Sequence, residues 1–242
     1  MASSPIDYLL KAPLPANEAS RLEALRRYRI LDTTAELAYD DITRIAAAIC
    51  GVPIALVSFV DAERQWFKSK IGLAAEQTPR EQAFCAYTIH QTSILEVEDA
   101  TRDARFSDSA LVLGDPHIRF YAGAPLVTSA GEALGSLCVI DSQPHKLTAD
   151  QKGSLAALAR LVMNNLELRR VSADYAEAAA KIRTLAGMLP ICCACKQIRN
   201  DQGYWQQVEA YISKHTDVRF SHGYCPKCLE IYFPDVDPET EK

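Results

Sequence analysis

Three cysteines fall within four residues in the stretch LPICCACKQIRNDQGYW, and two more lie in FSHGYCPKC. Cys192 and Cys195 are separated by two residues, Cys225 and Cys228 likewise, and 29 residues lie between the pairs. A Cys-x-x-Cys turn holds two thiolates along one edge of a tetrahedron, and two such turns complete the four soft ligands that zinc takes at about 2.3 Å. The spacing therefore predicts a structural zinc ion on Cys192, Cys195, Cys225 and Cys228. Binding would contribute folding free energy to a segment of about fifty residues whose own core is marginal. The same spacing also suits a redox dithiol, or thiols left free in a metal-independent fold. Cys193, between two ligands, is expected to point away, and His222 is an alternative ligand three residues before Cys225.

A second set of reactive residues lies in the middle of the chain. Cys85, in AFCAYTIH, is close in sequence to Tyr87 and His90, where an imidazole could tune a thiol that binds haem, a bilin or an electrophile. The plainer alternative is a small buried thiol on the inner side of a short helix. In DPHIRFYAG, His117, Arg119 and Tyr121 are expected to face an anion or polar ligand, with Asp99 and Asp103 in neighbouring loops. Solvated loop residues would give the same pattern. Cys138 and Cys50 read as core positions. No Gly-rich phosphate loop, HExxH or Ser-His-Asp order is present.

These residues must be positioned by a recognisable series of elements. Residues 1–16, with Pro5, Pro13 and Pro15, form an arm. A helix follows with Asn17 as its cap and Leu22, Leu25, Tyr28 and Ile30 along one side; a second carries Leu37, Ile42, Ile45 and Ile49 and ends at Gly51. PIALVSFVD and RQWFKSKIG read as an antiparallel hairpin, ILEVEDA as a strand, and YAGAPLVTSAGEALGSLCVID as two strands, with Gly123 and Gly135 marking bends or close approach. The irregular segment with REQAFCAYTIHQ between them reads as a lid over a pocket. From Thr148 a long helix begins, with Leu161, Leu168, Tyr175 and Ile182 seven apart and Asn164, Val171, Ala178 and Leu185 as a second row. That period predicts a parallel coiled coil and hence a homodimer; one amphipathic helix lying on its own domain is the alternative. In the tail, a hairpin-like turn with Trp205 packing down precedes a helix with Val208, Tyr211 and Ile212 on one side.

Composition narrows the function classes. The 242 residues are 48% apolar with a net charge of −5, and a pI near 5.6 gives no overall attraction to nucleic acid or anionic lipid. No stretch reaches the eighteen or so apolar residues of a membrane span, and the N-terminus lacks a secretion pattern. A cytoplasmic protein without membrane or nucleic-acid partners is expected. In that reducing compartment close cysteine pairs indicate metal or redox chemistry rather than a disulfide framework.

Residues 17–170 resemble a GAF domain of the bacterial signalling type, through LDTTAELAYDDITRIAAAICGVPIALVSFVDAERQWFKSKIGL, TPREQAFCAYTIH, DARFSDSALVLGDPHIRFYAGAPLV and ALGSLCVID. The resemblance implies an α+β fold: an antiparallel sheet of about six strands, helices from both ends of the domain on one face, and a small-molecule pocket on the other. Residues 171–187 would continue as the coiled coil. Residues 188–242 resemble a zinc-ribbon-like module appended to bacterial sensory domains, with the pattern LPIC-x-x-CK-x-IR, GYW and SHG-x-C-P-x-C. Bilin-binding GAF domains usually place histidine after the attaching cysteine, whereas Ala86 stands here, and the cyclic-nucleotide signature is not evident. The expected function is a non-enzymatic sensor or regulator. Its GAF domain would bind an unknown small molecule or sense redox state, and its zinc-stapled tail would engage a protein partner. The alternative is a thiol reductase of the free methionine sulfoxide type, with Cys85 as nucleophile and Cys138 as resolving thiol.

Overall fold

The computed structural model describes residues 12–186, 189–200 and 202–234, and side chains in 180–186 are left aside. The chain divides into two compact units, Met1–Ala176 and Glu177–Lys242.

The first unit is α+β. Its six-stranded antiparallel sheet comprises β1 (Ile54–Val60), β2 (Arg64–Ile71), β3 (Gln77–Pro79), β4 (Leu95–Val97), β5 (Phe120–Val127) and β6 (Ala133–Asp141), in the order β3-β2-β1-β6-β5-β4. β1 reads as an apolar run broken only by Ser58 because all seven of its residues are buried, with a core on each face of the sheet. The two-residue period of a strand sorts its side chains. Ala55, Val57 and Phe59 join Phe120, Ala122, Ala124 and Leu126 of β5 in one core; Ile54, Leu56 and Val60 join Tyr121 and Cys138 in the other.

Three helices cover the first face: α1 (Glu18–Tyr28), α2 (Leu37–Cys50) and α5 (Ala149–Ala186). The Asn17 side chain makes no capping bond; its carbonyl instead accepts from Ser20 and from the Arg21 amide. α1 buries Arg21, which is 1% exposed, donates to Glu18 and reaches the Val60 carbonyl at 2.6 Å. In α2 the inward face is Tyr39, Ile42, Thr43, Ala46 and Cys50, while Leu37, Ile45 and Ile49 are exposed. Of the four residues expected on the apolar side, only Ile42 is buried. Gly51, at φ 68, ends this helix in the left-handed conformation that glycine adopts freely.

α5 begins with a reciprocal cap in which the Gln151 amide donates to Thr148 Oγ1 and the Thr148 amide to Gln151 Oε1. Leu155, Leu158, Ala159, Val162 and Leu166 lie against the sheet core. Leu161, Asn164, Leu168, Val171, Tyr175 and Ala178 are exposed on another face. One face of this helix lies on its own domain, and the described heptad residues are exposed together with all others from 171 to 178. Ile182 and Leu185 fall outside the described side chains.

The opposite face of the sheet is roofed by a segment containing α3 (Cys85–Thr88) and α4 (Ala110–Leu113). Phe84 stacks on Phe106 at 4.0 Å between centroids, and Tyr87 meets Phe106 edge-on at 4.9 Å.

The second unit is small. β7 (Ile198–Arg199) pairs with β8 (Trp205–Gln206), followed by α6 (Val208–His215) and α7 (Pro226–Tyr232). Trp205 does not pack down: it is 48% exposed with the Arg199 guanidinium 5.9 Å from its ring. Val208, Tyr211 and Ile212 are half-buried on one side of α6.

Candidate functional site

Between the roof and the sheet lies a cavity of about 160 Å3 lined by Ile54, Leu56, Phe67, Leu111, Ile118 and Ile140, with Gln65, Cys85 and Tyr121 adding polar or reactive atoms. A larger groove of about 780 Å3 runs along α5 past Tyr28, Pro125 and Arg160, but it is more open and no cysteine lines it. We take the smaller, less open cavity as the site because reactive groups converge on it.

The convergence follows from strand alternation and the short α3. β1 carries a serine in the middle of IALVSFV, on the roof side with Leu56 and Val60; its hydroxyl donates to Cys85 Sγ at 3.3 Å. β5 places Tyr121 on the same side, and its hydroxyl also donates to Cys85 Sγ at 3.3 Å. Thr88 Oγ1 lies 2.6 Å from the Tyr121 hydroxyl. Cys138, on β6, has its sulfur 3.7 Å from that of Cys85. All five residues are buried. Gly123 makes the cluster possible: a Cβ there would lie 2.2 Å from Tyr121 Oη and 2.8 Å from Thr88 Oγ1.

The electrostatics distinguish the two thiols. Burial pushes the Cys85 thiol up, but hydrogen bonds from Cys138, Ser136, Ser58 and Tyr121 outweigh it and hold the group below the usual thiol range. Cys138, as donor to Cys85 and as a buried group, is pushed up. Tyr121 is also raised, by burial and by the neighbouring sulfurs. Cys50, buried without such donors, is raised to about 11.

Of the six residues singled out for ligand binding, Cys85 and Tyr121 line the cavity. Tyr87 lies against Phe106 on the roof. His90 is exposed, and its Nε2 is 2.8 Å from the Pro13 carbonyl oxygen, so hydroxyls and a second thiol, rather than an imidazole, tune Cys85. His117 is exposed with φ 57, and Arg119 donates to the carbonyls of Val112 and Ile118, fastening α4. Asp99 caps the turn at Thr101, and Asp103 pairs with Arg105. Sequence reasoning missed Ser58 and Thr88. The one available signal was a hydroxyl interrupting an apolar strand.

In the second unit each cysteine pair forms its own turn. Backbone amides of Cys195, Ala194 and Lys196 point at Cys192 and hold its thiol below the usual range, together with the Cys195 thiol. The turn closes through the Cys192 amide to Gln197 and the Lys196 amide to Cys192, with Lys196 at φ 61. Cys225 is held down by the amide and thiol of Cys228 and the amide of Lys227. This amide environment favours the thiolate form of Cys192 and of Cys225. Among the described residues no three His, Cys, Asp or Glu side chains are arranged together to hold a metal ion. Cys193 and His222 are exposed.

The chain is similar to several known proteins. A Pseudomonas aeruginosa protein named as a cyclic di-GMP phosphodiesterase is 44% identical over 164 residues, which is 67% of this chain but 28% of that protein. The chain therefore spans well under a third of that relative. The GAF domain of an Acinetobacter phosphoenolpyruvate-protein phosphotransferase is 16% identical, with a TM-score of 0.47 over 64% of this chain and 98% of that one. Free methionine-R-sulfoxide reductase from Neisseria meningitidis is 15% identical, with a TM-score of 0.47 over 67% and 98%. Among the described residues no helix is long and apolar enough to cross a membrane. The GAF domain family model matches residues 34–166, more than half of the chain, and this protein belongs to the GAF domain family.

Proposed function

We propose that this chain is a signal-transduction sensor or regulator in which the GAF cavity takes a small ligand or registers redox state, and the cysteine-rich tail carries the output. The observation that carries the reading is the two-sided sheet. One face bears the small cavity, and the other bears α5, which continues past its last buried core residue, Leu166, to Ala186. A cavity of about 160 Å3 is close in size to one that holds a benzene ring, so a ligand of a few heavy atoms fits without opening the roof. The 44% identity with a protein named for cyclic di-GMP turnover supports a signalling setting.

Transmission would run along α5. Its exposed row of Leu161, Leu168, Val171 and Tyr175 supports a parallel homodimer, in which a change at the cavity rotates or shifts two helices together. Zinc held by Cys192, Cys195, Cys225 and Cys228 would close the tail into a rigid module for a protein partner. Light scattering on the full chain tests this reading. A dimer that becomes monomeric in Leu168→Asp is expected, and a monomeric wild type overturns transmission through the helix. The thiol-reductase alternative rests on Cys85 and Cys138 alone, and a sulfoxide assay in which Cys85→Ser abolishes turnover would establish it.

A further inference from the structure

We propose that Cys85 and Cys138 form a hydroperoxide-responsive dithiol, in which Cys85 is oxidised from the cavity and Cys138 resolves it to a disulfide across the lid and the sheet. The proposal deepens the reading of this face as the input side by naming the chemical class of the input. Four observations carry it. The two sulfurs lie 3.7 Å apart, so a bond of about 2.05 Å requires only a small approach. Two hydroxyls, those of Ser58 and Tyr121, donate to one of the sulfurs and to no other buried cysteine. Cys85 lines the cavity and Cys138 does not, which fixes which thiol meets the oxidant. The cavity wall is mostly apolar, with Gln65, Thr78, Asp115 and Tyr121 as its polar groups, which suits an alkyl hydroperoxide whose tail lies along Phe67, Leu111 and Ile118.

The chemistry balances. The Cys85 thiolate attacks the terminal peroxide oxygen and the O–O bond breaks. The alkoxide leaves as an alcohol after taking a proton, and Cys85 becomes a sulfenic acid. Cys138 Sγ then attacks the sulfenic sulfur, the S–S bond forms, and the hydroxyl leaves as water with the Cys138 proton. Two thiols lose two electrons and the hydroperoxide gains them; an external dithiol resets the pair. The products of the cycle are one alcohol and one water. Tyr121 is a positioning residue whose hydrogen bond favours the attacking thiolate.

The test uses the full chain, reduced and desalted, then exposed to tert-butyl hydroperoxide, alkylated and mapped by peptide mass. A Cys85–Cys138 linked peptide is expected, with Cys50 still free. In Cys138→Ser, Cys85 should be trapped as its dimedone adduct, and in Cys85→Ser, Cys138 should stay reduced. Leu111→Trp, which takes up space in the cavity, should slow the reaction ~10-fold or more, and Tyr121→Phe ~3-fold or more. Recovery of both residues as free thiols in wild type, at a dose that oxidises exposed Cys193, overturns the proposal, as does linkage of Cys85 to any tail cysteine. Because the map needs neither a dimer nor zinc, a monomeric chain would refute transmission through α5 while leaving this result readable.

Discussion

Gly123→Ala tests whether the cluster around Cys85 is as tight as its distances imply. The new methyl group would lie 2.2 Å from Tyr121 Oη and 2.8 Å from Thr88 Oγ1. The tyrosine has little room to retreat, because it is fully buried and its ring lies 5.2 Å from that of Phe84. Relief requires breaking the Thr88–Tyr121 and Tyr121–Cys85 hydrogen bonds. At about 1 kcal/mol each, with roughly 1–3 kcal/mol for overpacking and about 0.5–1 kcal/mol recovered from replacing glycine in a strand, the net loss is about 3 kcal/mol. For a unit of this size that lowers Tm by roughly 6–12 °C. Urea unfolding followed by circular dichroism measures it, and the Cys85 thiol should titrate higher in the variant because it has lost a donor. A variant within about 0.5 kcal/mol of wild type would mean that Tyr121 is not confined as described, and the reasoning about Cys85 would fall with it.

Gly153→Ala is expected to do the opposite. No atom lies within 4 Å of the added Cβ at this exposed position near the start of α5, so removing a helical glycine should stabilise the protein by about 0.5–1 kcal/mol in the same assay. Glu18 should govern part of the acid sensitivity. Burial pushes its carboxyl up, but Arg21 and Arg80 outweigh that and lower it from 4.5 to about 2. Its contribution is therefore complete above the unfolded value and is lost as pH falls from about 4.5 towards 2. Discounted for solvent exposure it amounts to about 1–2 kcal/mol, and Glu18→Gln should flatten acid unfolding over that window without changing the curve's shape above it. Leu155→Ala, at a fully buried position on α5, should cost about 2–5 kcal/mol by urea unfolding. Metal analysis of protein purified without chelator should find one zinc per chain in wild type and none in Cys195→Ser; zinc retained in the variant would remove Cys195 from the ligand set.

The strands were legible in the sequence because their signals are local. PIALVSFVD and RQWFKSKIG form β1 and β2, and the two runs around Ser129–Glu132 form β5 and β6. The helix faces were less legible. In α2, alanine and threonine face the core while Ile45 and Ile49 face outward, so counting large apolar residues selects the wrong side. Arg21 is buried because Glu18 and the Val60 carbonyl satisfy it, a circumstance that depends on a contact 39 residues away. The site shows the same division. Cys85 and Tyr121 stand out by residue type, whereas Ser58 and Thr88 matter only once β1, β5 and α3 are brought together. His90 could not be placed from spacing, because its partner is the carbonyl of Pro13 in the N-terminal arm.

Both borders of the sheet are strands of only three residues, Gln77–Pro79 and Leu95–Val97, and the first ends in a proline that has no amide hydrogen. A long, flat border would template cross-β growth with neighbouring chains, and three-residue border strands offer fewer amides for it. Short borders of this kind are one device by which sheets blunt edge-to-edge growth between copies.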